Sequence, residues 1–326
     1  MKTMNKYLDT NPLALRPIWA FAFPGSPAHR LVLQYKIITL EEPSMSYECF
    51  DLKIENNIAH VILNRPEKRN AMNADFWREF PKIIRDIDHG AKARVVVVSS
   101  TGPHFSAGLD LSSFSSIGDT PEENSDKKEL QRSAAFYDNV LHIQNAFTCM
   151  EEARIPVLCC IQGGAIGGGV DLATACDIRY ATEDAFLVIQ ETNIGMTADV
   201  GTFPRLVKLI PEGYVREMAY TGRRVSANEA KRMGLINEVY PTQETMLSAV
   251  MAIAAEIANK APLAVYGCKR MINYARDHST ADGLDYIAIW NASMLKIEEI
   301  QEAISANTDG RPGDFASLPP SKKQSG

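Results

Sequence analysis

The chain is short of the residue spacings that mark most metal, redox and covalent catalytic centres. Its six histidines, at 29, 60, 89, 104, 142 and 278, include no His-Glu-x-x-His and no pair at metal-ligand spacing. No metal is expected. Six cysteines, at 49, 149, 159, 160, 176 and 268, contain no Cys-x-x-Cys, and at least three lie in apolar segments where a thiol packs as a small hydrophobe. That usage points to a reducing compartment. The glycine run fails the dinucleotide fingerprint, since the third position is Ala165 counted from Gly163 and Ile166 counted from Gly164. A nucleophile elbow is missing too, because His104-Phe105-Ser106-Ala107-Gly108 has His where that turn needs glycine. The longest apolar run, Ile155 to Val170, contains Gln162 and five glycines and ends at Asp171, so no membrane span is expected. An excess of positive charge is also absent: 34 basic against 40 acidic residues leave a net charge of −6, which argues against nucleic acid or an anionic membrane as partner.

What is present is a 326-residue chain, 45% hydrophobic, with enough apolar content for a sizeable core. Residues 1–48 read as an irregular N-terminal extension with Pro12, Pro17, Pro24 and Pro27, and the patterned chain begins near Met45. Alternation in 50–54 and 58–63 around Asn56-Asn57 predicts a hairpin. Asn73 is placed to cap a helix running to about Asp88, with a kink or break at Pro81. A buried strand follows at 95–98, then a loop at 114–128 and a long helix over 129–152. Strands alternating with helices predict a layered α/β core over 49–245. Beyond Thr202 the pattern reads as helical, over 203–210, 214–220, 227–233, 244–260, 262–277 and 281–303. A C-terminal helical region without its own sheet, residues 246–306, is expected to pack on a neighbour, and 307–326 reads as a disordered tail.

Three carboxylates stand among apolar and small residues: Asp171 in Gly-Gly-Gly-Val-Asp-Leu, Glu191 in Ile-Gln-Glu-Thr-Asn-Ile-Gly, and Asp199 in Thr-Ala-Asp-Val-Gly. Poor hydration opens their pKa values to tuning, which is the setting of an acid/base site. Asp171 also suits a helix N-cap after the glycines, and Asp199 a cap for a helix starting at Val200. Glu191, after an apolar strand, has no comparable structural use. Beside the carboxylates, the turn after 155–161 and the turn Ser106-Ala107-Gly108-Leu109 offer backbone N–H groups to an anion or developing oxyanion. Arg65-Pro66-Glu67-Lys68-Arg69-Asn70 offers a local cluster of cations for an anionic ligand, or equally a solvated turn before a helix.

From Ile58 to about Leu295 the chain resembles the crotonase (enoyl-CoA hydratase/isomerase) superfamily. The resemblance is carried by Leu63-Asn64-Arg65-Pro66 with Asn70-Ala71-Met72-Asn73, by Phe105-Ser106-Ala107-Gly108, by Gly163 to Asp177, and by Thr221-Gly222-Arg223 leading into 227–239. Within that superfamily it is most similar to the Δ3,5-Δ2,4-dienoyl-CoA isomerases, on Gly-Gly-Gly-Val-Asp, Ala198-Asp199-Val200-Gly201-Thr202, Ala275-Arg276-Asp277-His278-Ser279 and Trp290-Asn291-Ala292-Ser293-Met294-Leu295. The resemblance implies a spiral of ββα units, a helical C-terminal trimerisation region, a homotrimer or a hexamer of two trimers, and a fatty acyl-CoA substrate. Coenzyme A then belongs to the substrate, and no separate cofactor is implied. It assigns the oxyanion hole to the N–H groups of Leu109 and Gly168, proton transfer to Glu191 and Asp199, and a supporting role to Asp171. The pantetheine would run past Ala107, Gly108, Leu109, Asp110 and Leu111, with the adenine near Ala71 and phosphates near Lys68 and Arg69.

Chemistry then predicts the division of labour. Shifting two double bonds along a thioester removes a proton from C2 and returns one at C6, through a dienolate whose charge falls on the thioester oxygen. Glu191 is expected to act as base at C2, and Asp199, protonated in its apolar loop, as acid at C6. The alternative within the class is a 2-enoyl-CoA hydratase, disfavoured because Asp171 and Asp199 stand where hydratases usually carry glutamate and glycine. A non-catalytic RNA-binding or scaffold protein is the alternative outside it, disfavoured by the acidic net charge. The address expected is the bacterial cytoplasm, or the mitochondrion in a eukaryote.

Overall fold

Two asparagines in left-handed conformation, Asn56 at φ 51° and Asn57 at φ 63°, turn the first hairpin, as tight antiparallel turns require. The computed structural model describes residues 46–110 and 126–321, all within the unit that begins at Ser46. In chain order the elements are β1 (Phe50–Glu55), β2 (Ile58–Leu63), α1 (Ala74–His89), β3 (Val95–Ser100), α2 (Asp126–Glu152), β4 (Val157–Ile161), β5 (Gly164–Ile166), α3 (Gly168–Ala175), β6 (Ile178–Thr182) and β7 (Phe186–Val188). They continue as α4 (Thr202–Leu206), α5 (Glu212–Thr221), β8 (Val225–Ser226), α6 (Ala227–Met233), β9 (Glu238–Tyr240), α7 (Gln243–Ala258), α8 (Pro262–Ala275), α9 (Thr280–Met294) and α10 (Ile297–Asp309). Asn73 caps α1, its side chain accepting the Phe76 N–H at 3.0 Å. Pro81 does not end that helix, although it withholds the N–H that would bond the Trp77 carbonyl.

The strands form two sheets. The larger has the order β1-β2-β3-β4-β6-β9, antiparallel only between β1 and β2, and the smaller has the order β5-β7-β8. Successive passes place β4 in the large sheet and β5 in the small one, then β6 in the large and β7 in the small, with α3 between the passes. This is the α/β spiral of ββα units. Because side chains alternate across a strand, β3 feeds two cores: Val96 and Val98 join the cluster under α1, α2 and α3, while Val95 and Val97 join Leu158, Cys160 and the α7 residues Met246, Val250 and Ala254. All four are fully buried, as expected for a parallel strand covered on both faces. Phe50, Phe76, Phe80 and Phe147 pack at the centre of the first cluster, with the Phe76 and Phe80 ring centroids 5.5 Å apart.

Three details depart from the sequence reading. The stretch beyond Thr202 is not purely helical, for β8 and β9 close the small sheet and extend the large one; at two and three residues they are too short to show a period. The helix expected over 281–303 is two helices, broken where Leu295 turns extended at ψ 131°, with no Gly or Pro to announce it. The tail expected to be disordered from 307 completes α10 to Asp309, and then lies on the core as far as Ser321. Arg94 donates to the Phe315 carbonyl at 2.7 Å, Arg154 to the Pro319 carbonyl at 2.8 Å, and the Ser321 N–H to the His89 carbonyl at 2.8 Å. Backbone groups met by half-buried arginines hold this segment, which composition does not reveal. The N-terminal extension lies outside the described residues except at its end.

Candidate active site

Glycine places the backbone of the site. Gly108 has φ +78°, and a Cβ there would lie 2.5 Å from the Ile166 carbonyl oxygen and 3.0 Å from the Gly168 nitrogen. A Cβ on Gly168 would in turn lie 3.6 Å from the Leu109 nitrogen and 3.0 Å from the Met72 sulfur. The two turns therefore meet backbone to backbone. The Ser106 to Asp110 segment is held there from both sides: Ser106 bridges Ala165 in β5, and the Met72 N–H and carbonyl bond Gly108 and Asp110 at 2.8 and 3.0 Å. The Ser106 hydroxyl takes up the Gly108 N–H at 3.1 Å and donates to the Asn70 carbonyl at 2.8 Å. This pattern leaves the N–H groups of Leu109 and Gly168 without an acceptor among the described residues. Gly168 is the first residue of α3, where backbone donors have no intrahelical partner. Two such donors close together can stabilise one anionic oxygen.

Asp171 and Glu191 lie at this corner, and Asp199 is close enough for its charge to act on Glu191. Glu191 opens a 3-10 turn, Glu191–Ile194, that ends at Gly195 with φ +78°. The turn is anchored to α5: the Thr192 hydroxyl donates to the Ala219 carbonyl and the Asn193 amide to the Gly222 carbonyl, each at 2.8 Å. A side chain on Gly222 would overlap that amide. Glu191 Oε1 would stand 2.9 Å from a Cβ on Gly167, next to the free Gly168 N–H. Its Oε2 is buried with no hydrogen-bond partner among the described residues. Burial raises the Glu191 pKa above the ordinary glutamate value, and the Asp199 charge adds to the rise. Asp199 is half-buried, its own pKa is raised by burial, and it lines an open groove of about 740 Å³ between α2, α4 and α8.

Asp171 behaves differently. It lies within α3, 1% exposed, and accepts the Thr202 hydroxyl at 2.7 Å. Burial pushes its pKa up to about 7; the Thr202 hydroxyl and backbone N–H act in the opposite direction, and Glu191 adds to the rise. It does not cap its own helix, which starts at Gly168 after Gly167. Nor does Asp199 cap α4, whose N-cap is Gly201 with no side-chain bond. Both capping readings of the sequence are set aside.

Lys68 and Arg69 are exposed on the loop before α1, and the Arg69 carbonyl accepts the Ala107 N–H at 2.9 Å. Arg65 donates to the Ala71 carbonyl at 2.6 Å and pairs with Asp110 at 3.6 Å. Ala71, Lys68 and Arg69 are thereby joined to Ala107, Gly108 and Asp110; Leu111 lies outside the described residues. Thr202, Met72 and Gly167 stood in the quoted motifs without a role of their own, and Arg205 is a neighbour of the site that sequence reasoning missed, since a buried Arg in a short helix leaves no periodic signal. Among the described residues no group of three or more His, Cys, Asp or Glu is placed to hold a metal ion, and no single helix is long and apolar enough to cross a membrane.

Known proteins are similar to this chain in sequence and fold. The enoyl-CoA hydratase/isomerase family model matches residues 53–317. The mitochondrial Delta(3,5)-Delta(2,4)-dienoyl-CoA isomerase of Homo sapiens is 42% identical over 274 residues, 83% of this chain and 82% of that protein. The peroxisomal protein of the same name from Arabidopsis thaliana is 40% identical over 81% of this chain and 94% of its own length. Among solved structures, an enoyl-CoA hydratase from Bacillus anthracis superposes with a TM-score of 0.73 at 28% identity, over 83% of this chain and all of that one. With the matched family spanning the spiral, both glycine turns and all three carboxylates, the chain belongs to the enoyl-CoA hydratase/isomerase family.

Proposed function

We propose that the protein is an isomerase converting 3,5-dienoyl-CoA to 2,4-dienoyl-CoA in the oxidation of unsaturated fatty acids. The observation that carries this reading is the pairing of Glu191 with Asp199. Both carboxyls have pKa values raised by burial, and they are close enough for the Asp199 charge to raise that of Glu191. The thioester oxygen sits between the Leu109 and Gly168 N–H groups. Glu191 removes the C2 proton, negative charge spreads from the thioester oxygen to C6, and Asp199 delivers a proton there. The C3 and C5 double bonds become C2 and C4 double bonds, and one proton has passed from substrate to Glu191 and one from Asp199 to product. Raised pKa values serve both roles: a stronger base at Glu191, and a carboxyl that retains a proton more readily at Asp199.

Hydration is the second reading within the class, and it needs two carboxylates on one water. Asp171 is 1% exposed and already engaged by Thr202, so it is not available as the second carboxylate for that water, and Asp199 is assigned here to the distal carbon instead. Lys68, Arg69 and Ala71 provide the outer binding surface for coenzyme A, whose phosphates suit the exposed cations, and Ala107 to Leu111 the path for its pantetheine. The exposed apolar residues Leu284, Ile287, Ile289, Ile300 and Ile304 on α9 and α10 support assembly into a homotrimer or hexamer. The compartment follows the source, bacterial cytoplasm or eukaryotic mitochondrion.

The deciding experiment mixes purified protein with a 3,5-dienoyl-CoA and follows the ultraviolet band of the 2,4-dienoyl thioester, with 2-enoyl-CoA hydration assayed in parallel. Rapid growth of the band with little hydration is the expected result. Hydration without isomerisation would overturn the reading.

A further inference from the structure

We propose that Arg205 is a positioning residue for Asp199, acting through the backbone of Val200 and Gly201 and anchored by Glu151 to both α2 and the C-terminal helix α8. The proposal rests on the isomerase reading above. Arg205 is 8% exposed, and a buried guanidinium is tolerated only where its donors are matched. Here they are matched by one carboxylate and by the loop that carries Asp199: Nε donates to Glu151 Oε2 at 2.8 Å, Nη2 to the Thr148 hydroxyl at 3.2 Å, and Nη1 to the Val200 carbonyl at 3.2 Å. Gly201 makes room for it. At φ +124° a side chain would be strained, and a Cβ would overlap the guanidinium.

Asp199 itself is held from the other direction, with the Gln144 amide donating to its carbonyl at 2.6 Å. Two consecutive carbonyls, those of Asp199 and Val200, are thus fixed by side chains from outside the loop. The carboxyl of Asp199 hangs on this pinned backbone. Glu151 is shared further: its Oε1 meets Arg276 at 3.0 Å, and its carbonyl accepts the Asn273 amide at 3.0 Å. Lys208, just past α4, pairs with Asp277. Arg276 and Asp277 belong to the Ala275-Arg276-Asp277-His278-Ser279 motif, which the reaction chemistry leaves without a use. The network gives it one, as the outer brace of the Asp199 loop.

The bland alternative is that Arg205 only stabilises the fold. A structural loss would weaken both proton transfers together, whereas a positioning loss falls on the Asp199 step alone. The test compares Arg205→Lys, Glu151→Gln, Asp199→Asn and the double variant Arg205→Lys/Asp199→Asn by two readouts: growth of the 2,4-dienoyl band, and exchange of the C2 protons of 3,5-dienoyl-CoA in D2O. Lysine keeps the charge but cannot reproduce the three-way donor geometry. The expected result is a kcat for Arg205→Lys lowered on the order of 100-fold with KM nearly unchanged. C2 exchange is retained, and the double variant is no slower than Asp199→Asn. Glu151→Gln, on a half-exposed side chain, gives the same signature more weakly and serves if Arg205→Lys does not fold. Parallel loss of exchange and isomerisation, or a double variant slower than Asp199→Asn by the full Arg205 factor, would overturn the proposal while leaving the isomerase reading intact. Wild-type protein without dienoyl isomerisation would remove that reading, and this proposal with it.

Discussion

Asp171 in the first turn of α3 and Thr202 at the start of α4 are joined by a 2.7 Å hydrogen bond from hydroxyl to carboxyl, inside a region closed to solvent. Through it the helix that presents the Gly168 N–H is tied to the helix that follows the Asp199 loop. The two halves of the proposed reaction, oxyanion binding and distal protonation, therefore share one buried strut. In the proposed reaction Asp171 is a supporting group that acts through Thr202.

The strut makes stability depend on pH. The folded-state pKa of Asp171, about 7, lies above its ordinary value of 3.8, so the folded protein binds this proton more tightly than the unfolded chain does. The resulting stabilisation is fully present below about pH 4 and is lost as pH rises through about 7. Asp171→Asn keeps an acceptor for Thr202 and does not titrate. Relative to wild type, the variant should gain on the order of 2–4 kcal/mol between pH 4 and pH 8. Urea denaturation at each pH measures this, and a difference independent of pH would show that Asp171 titrates as it does in water.

Activity should depend on pH through Glu191. Its pKa is raised by burial and by Asp199, so the base is ionised only above the usual glutamate range. The acid limb of kcat/KM should lie above pH 4.5. Both Glu191→Gln and Asp199→Asn should lower kcat by about 10²- to 10⁴-fold. A wild-type acid limb at or below the ordinary glutamate value would count against Glu191 as the base.

Gly108→Ala should damage the oxyanion site without touching a carboxylate. The new Cβ would meet the Ile166 carbonyl at 2.5 Å and the Gly168 nitrogen at 3.0 Å, in a conformation of φ +78° that disfavours any side chain. Loss of alignment of one donor should cost about 10²- to 10³-fold in kcat. Steady-state kinetics with 3,5-dienoyl-CoA reads it, and retention of full kcat would place the thioester oxygen elsewhere.

Lys269 offers a prediction about stability alone. Its ammonium is buried on α8 and donates to the carbonyls of Met150 and Ile155 at 2.6 and 3.0 Å and to Asp177 Oδ2 at 2.8 Å. Lys269→Met keeps the stem and leaves two carbonyls and a carboxylate short of a donor. Destabilisation of about 3 kcal/mol is expected, measured as a lower urea midpoint. An unchanged midpoint would mean that water replaces the ammonium without cost.

The hairpin at Asn56-Asn57, the Asn73 cap and the span of α6 were legible because each is decided by neighbours in sequence. Glycine turns were legible for the same reason, since a left-handed φ is a local demand. The split of the last long helix at Leu295, the strands β8 and β9 and the docked tail to Ser321 were not, because none carries a local punctuation mark. Among candidate site residues, the sequence marked the three carboxylates by their apolar surroundings, and reaction chemistry with the family resemblance supplied their expected roles, but the contact of Asp171 with Thr202 was not legible. Arg205 was invisible, being a charged residue whose burial no period betrays.

The sequence by itself determined the kinds of group available: two glycine turns with spare N–H donors and three poorly hydrated carboxyls on an α/β scaffold. Only the tertiary structure decided which of them meet. Asp171 reaches Thr202 across 31 residues, Arg205 reaches Glu151 across 54, and Arg276 reaches Glu151 across 125. Contacts at such separations are set by how the sheets, α2 and α8 pack, and packing depends on the shape of the whole core rather than on any stretch of chain.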